Sequence, residues 1–92
     1  MRILVYEHVS GGGYASKPLP LGVLSEGFAM LRGVAADFKA AGHEVAVLLD
    51  SRLVVFAPPI EADNILGVGS CGEADVVLKT VAREADAVLL TY

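Results

Sequence analysis

The residues most able to do chemistry stand together near the amino terminus, Glu7-His8-Val9-Ser10-Gly11-Gly12-Gly13, directly after the apolar run Ile3-Leu4-Val5-Tyr6. A carboxylate, an imidazole and a hydroxyl at this spacing could move protons or hold a polar ligand, and a glycine run lets backbone N–H groups approach an anion. The specific phosphate motifs are missing. A dinucleotide fingerprint needs a third glycine three residues after the second, with a helix opening at once. Here Gly13 runs instead into Tyr14-Ala15-Ser16 and Lys17-Pro18-Leu19-Pro20. A P-loop ends in Gly-Lys-Ser/Thr, a triplet the sequence does not contain.

A second cluster, Asp50-Ser51-Arg52, follows the apolar run Val45-Ala46-Val47-Leu48-Leu49. Asp50 sits where nicotinamide enzymes keep a ribose-binding acid, but the first loop is wrong for that cofactor. Consecutive parallel strands bring their carboxyl ends together, so Glu7, the glycine loop, Asp50 and Arg52 are expected to converge. Two acids and an arginine could then position an amine or a carboxylate. This convergence favours a loop that folds over a small polar ligand rather than a bare surface loop. The candidate ligand-binding residues are Glu7, Ser10, Gly11, Gly12, Gly13, Glu26, Asp50 and Arg52.

The remaining reactive residues have simpler readings. His8 lacks a second histidine or a nucleophile at motif spacing and reads as a loop hydrogen-bonder rather than a catalyst. His43, just after Gly42, reads as part of a helix carboxyl-terminal cap. Cys71 precedes a helix, where a thiolate is favoured, yet without a base it reads as structural. Glu26 is explained by the dipole of a first helical turn, and its nearness to the glycine loop keeps it among the candidates.

These residues need elements to position them. Ile3–Tyr6 reads as a buried strand, followed by an irregular loop from His8 to about Gly22, long for a βα connection. From Leu24 the apolar residues Leu24, Phe28, Leu31, Ala35 and Phe38 fall on one helical face, with Ser25 as the expected cap, Gly33 as an internal weakness and Gly42 as the left-handed stop. Glu44–Leu49 is the second strand of a βαβ unit, whose crossover is expected to be right-handed. Leu53–Phe56 reads as a short third strand or an extended connection closed by Pro58-Pro59. Another short strand is expected at Ile65–Val68, then a turn at Gly69-Ser70-Cys71-Gly72. A helix over Glu73–Ala85, with Glu73 and Asp75 in an acidic first turn, leads to a last strand at Ala87–Leu90. The elements add up to one α/β domain over residues 1–92 with a small, mostly parallel sheet of about four strands. Its last strand looks central and stops where a ligand-edge loop should begin, so the domain is expected to be the amino-terminal part of a longer protein.

Composition narrows the partners. Ninety-two residues support one core, and 54% hydrophobic against 20% charged residues excludes disorder. The net charge is −4 and the seven basic residues are scattered, which argues against nucleic acid. One cysteine forbids an intramolecular disulfide and metal sites of paired cysteines, and fits a cytoplasmic location. No apolar run approaches the roughly 18 residues of a membrane span or forms a signal peptide, so neither a membrane nor a metal is expected.

Four blocks, Glu7-His8-Val9-Ser10-Gly11-Gly12-Gly13, Ser25-Glu26-Gly27-Phe28-Ala29-Met30-Leu31-Arg32, Gly42-His43-Glu44-Val45 and Leu49-Asp50-Ser51-Arg52-Leu53, resemble the amino-terminal, pre-ATP-grasp domain of archaeal ATP-grasp ligases related to tyramine-glutamate ligase. The resemblance covers about the first 53 residues in detail and extends to Tyr92 in element order. It implies a Rossmann-like three-layer unit that packs on ATP-grasp lobes and forms the acceptor-substrate side of a carboxylate-amine ligase. In such an enzyme ATP phosphorylates a carboxylate and an amine attacks the acyl phosphate. The lobes that hold ATP and magnesium would lie beyond Tyr92, so these 92 residues alone are expected to be inactive. The partners implied are those lobes and a small amine or amino acid. Two alternatives remain: the amino-terminal domain of a nucleotide-sugar transferase, and a non-enzymatic α/β interaction or ligand-binding module that completes its sheet as a homo-oligomer.

Overall fold

The computed structural model describes residues 1–15, 17–56, 59–69 and 71–91, with side chains for all of these except 55, 56, 71, 72, 90 and 91. Pro58, Ser70, Tyr92 and the Cys71 thiol, on which parts of the sequence reading fell, lie outside the described residues. Four strands, β1 (Arg2–Glu7), β2 (Glu44–Asp50), β3 (Asn64–Val68) and β4 (Ala87–Thr91), alternate with three helices, α1 (Leu21–Ala40), α2 (Ser51–Phe56) and α3 (Cys71–Glu84). All strand pairs are parallel and the sheet order is β3-β2-β1-β4.

Period-two alternation divides the core into two layers. Ile3, Val5, Val45, Val47 and Leu49 face α1, where Leu31 and Ala35 are buried and Phe28, Val34 and Phe38 pack beside them. Leu4, Leu48 and Val68 face α3, against Ala74, Val77, Leu78 and Val81. The β1-to-β2 and β3-to-β4 connections run in opposite directions across the sheet. Crossovers of one hand must then lie on opposite faces, and the result is a helix–sheet–helix sandwich.

The stripe on α1 is the expected one, but its start is not. The helix opens at Leu21 after Pro20, with Leu24 N–H donating to Pro20 O at 2.8 Å. Ser25 is therefore a second-turn residue and not the cap, because the fixed φ of proline already sets the entry. At the other end Gly42 adopts φ +90°. Gly42 N donates to Lys39 O at 3.0 Å and His43 N to Phe38 O at 3.1 Å, the paired bonds of a Schellman stop. The His43 ring packs edge-on to Phe38 at 6.0 Å, supplying the contact that accompanies this motif.

Residues 51–56 form helix α2, which corrects the reading of Leu53–Phe56 as a short strand or an extended connection. Asp50 explains it: its Oδ1 accepts Arg52 N–H at 2.9 Å, the bond of an amino-terminal cap two residues ahead, which starts the helix as β2 ends. Asp63 ties β2 to the segment before β3, its carboxylate accepting Val45 N–H at 2.7 Å and Lys39 Nζ at 2.8 Å.

β4 is an edge strand and not a central one, paired with β1 alone. By register Val88 lies on the Leu4 face and Leu89 on the Val5 face. They remain 41% and 37% exposed, so each face of this apolar strand is only partly covered at these residues. No helix among the described residues is long and apolar enough to cross a membrane.

Candidate functional site

β1 and β4 border the point where the crossovers diverge, so their carboxyl ends flank the crevice where open α/β sheets bind ligands. Glu7 ends β1 there and is fully buried. Its Oε2 accepts Val9 N–H at 2.9 Å, and its Oε1 accepts Ser10 N–H at 2.8 Å and Ser10 Oγ–H at 2.6 Å. The chain thereby turns sharply into a single π-turn, Val9–Gly13, closed by Gly13 N–H donating to His8 O at 2.9 Å. The acceptor held by this loop is its own Glu7 carboxyl group. A phosphate would find the Val9 and Ser10 N–H groups already bonded to Glu7 and the Gly13 N–H to His8 O.

The glycines follow from packing. A Cβ on Gly11 would meet the Tyr6 ring at 2.7 Å, one on Gly12 would meet Val68 at 2.6 Å, and one on Gly13 would strike the His8 ring. Gly12 also adopts φ +99°, a region that L side chains rarely enter. On α1, Gly27 leaves room for the Glu7 carboxylate, which a Cβ would strike. The run thus seats neighbouring side chains rather than a ligand.

Asp50 ends β2 and is also buried. Arg52 grips it twice, Nε to Oδ1 at 2.9 Å and Nη2 to Oδ2 at 2.7 Å. Its outer nitrogens donate to Lys17 O at 2.7 Å and Tyr14 O at 2.9 Å. The Arg52 hydrogen bonds hold the Asp50 carboxyl below its usual range, against the opposing effect of burial, and the same contact raises Arg52. This clamp fastens the far end of the glycine loop to β2.

Glu7 and Asp50 do not converge. Glu7 shares its strand face with Ile3 and Val5 beneath α1, whereas Asp50 follows Ala46 and Leu48 on the α3 face. Of the candidates, Glu7, Ser10, Gly11, Gly12 and Asp50 are buried and Gly13 is seated under His8. Arg52 is spent on the clamp, and Glu26 is exposed on the second turn of α1 rather than in its first. His8, read from the sequence as a loop hydrogen-bonder, is exposed at the first position after β1. Its Nδ1 lies 3.4 Å from Tyr6 Oη, and its ring meets Tyr14 edge-on at 5.7 Å between centroids.

A cavity of about 370 Å³ opens at the opposite end of the sheet, lined by Arg2, Leu4, Ala46, Leu66, Val81 and Glu84 among others. It lies at the amino-terminal ends of the strands, away from the crevice, and the chemistry-bearing loop does not reach it. Among the described residues no three His, Cys, Asp or Glu side chains gather where they could hold a metal ion. Comparison with known proteins gives no matching family model, no curated relative and no matching solved structure.

Proposed function

We propose that this chain is the amino-terminal, substrate-side domain of an ATP-dependent carboxylate-amine ligase, working with ATP-grasp lobes that hold ATP and magnesium. The observation that supports the reading is the contact between the first two sequence blocks behind the resemblance, with the fourth fastening the continuation of the first. Glu7–Gly13 forms the capped loop, Gly27 of the second block makes room for Glu7, and Asp50–Arg52 of the fourth clamps Tyr14 and Lys17. The third block, Gly42–Val45, stops α1 and starts β2. These contacts gather motif residues at the carboxyl-terminal edge of the sheet, which suits a substrate-side role.

The partly exposed β4 supports a docking role, because strands of parallel sheets are normally covered on both faces. The partner proposed for it is the ATP-binding part of the ligase. The test is expression of the whole encoding reading frame and assay of ADP release with magnesium, amino acids and amines. Release that requires both a carboxylate and an amine supports the reading, with residues 1–92 alone inactive. Absence of ATP turnover with every pair overturns it. The same open edge also favours a second reading, an interaction module that pairs with another copy, for which sedimentation would show a dimer indifferent to ATP.

A further inference from the structure

We propose that His8 is the residue through which this domain meets the amine acceptor, an inference that rests on the ligase reading above. His8 stands just past β1, beside the crevice between β1 and β4. It is exposed while its neighbours Glu7, Val9 and Ser10 are buried. An exposed side chain ordinarily samples several rotamers. This one is seated: Gly13 lies under the ring with no room for a Cβ, Tyr14 stands edge-on, and Tyr6 Oη faces Nδ1. Such preorganisation lowers the ordering cost of a contact made at that position.

The chemistry of the cluster selects the ligand. A tyrosine hydroxyl can accept Nδ1–H, which leaves Nε2 with a lone pair able to accept a hydrogen bond from an ammonium group. Glu7 and Asp50, the carboxylates that end β1 and β2, are buried and already bonded inside the domain. His8 is therefore a recognition residue for the amine, acting before the acyl phosphate is attacked.

The test uses the full reading frame and three variants, His8→Ala, His8→Gln and Gly13→Ala. The last displaces the imidazole without removing it. Loss of one hydrogen bond to a charged group predicts about a tenfold or greater rise in KM for the amine in His8→Ala. His8→Gln, which can place an acceptor near Nε2, recovers part of the loss, and Gly13→Ala reproduces it. KM for ATP and for the carboxylate stays within about twofold of wild type, which a merely loosened fold would not allow, and thermal melts of each variant check folding directly. Ligation with unchanged amine KM in folded His8→Ala overturns the His8 assignment alone. A wild-type protein that ligates nothing overturns the ligase reading and this inference with it.

Discussion

At the scale of single residues, both buried acids do the same work: each ends a strand and caps the turn that follows. Glu7 holds the amides of Val9 and Ser10, and Asp50 holds the amide of Arg52. Asp50 makes a testable contribution to acid stability. Its carboxyl is held low, chiefly by the Arg52 side chain, so its stabilisation is complete above the unfolded-state value of about 3.9 and is lost as pH falls through the lower folded-state value. Urea unfolding of Asp50→Asn, which retains capping ability, should show lower stability at pH 7 and a shallower decline below about pH 4. An acid limb identical to wild type would dismiss the clamp as a source of stability. Asp63, also held low by Lys39 and the Val45 amide, acts in the same window, so the decline should flatten only in part. The sequence made the acid types legible but not their directions. Counting alternate residues back along each strand, Glu7 with Ile3 and Val5, Asp50 with Ala46 and Leu48, carries that information.

At the scale of elements, α1 contains two interior glycines with opposite roles. Gly27 faces the Glu7 carboxylate with no room for a Cβ, whereas Gly33 has nothing within 4 Å of that position. Gly33→Ala should stabilise the protein by roughly 0.4–1 kcal/mol through helix propensity and chain entropy. Gly27→Ala should destabilise it by about 1–3 kcal/mol by overpacking the acid. Denaturant midpoints of the two variants shifting in the same direction would refute the distinction. Of the elements themselves, α1 and its stop were readable because a long apolar stripe and Gly42 agree. α2 was not, since Leu53-Val54-Val55-Phe56 is short and branched enough to suit a strand. Propensity lost there to the Asp50 cap, a local signal of one hydrogen bond that an apolar-run reading does not weigh.

At the scale of the whole molecule, the sheet is well covered at the central strands β1 and β2 and only partly covered at the edges β3 and β4. The parallel α/β architecture was legible from the alternation of apolar runs with an amphipathic stripe. The edge position of β4 was not, because strand order depends on the sides to which crossovers run, and an edge strand this apolar looks central in sequence. An uncharged edge with Val88 and Leu89 exposed invites pairing with other chains. Residues 1–92 alone should therefore associate as concentration rises in sedimentation equilibrium. Val88→Lys should suppress the association while changing folding stability by no more than about 1 kcal/mol. Association that persists in the lysine variant would place the contact elsewhere.

The Arg52 clamp has a consequence in time as well as in space. With the loop tied by Glu7 at its start and by Arg52 at Tyr14 and Lys17, a lid-like swing would have to break those bonds. Under the proposed ligase reading, gating would then fall to the ATP-binding part rather than to this loop. A ligand meeting this edge of the domain should bind in a single kinetic phase whose observed rate rises linearly with its concentration.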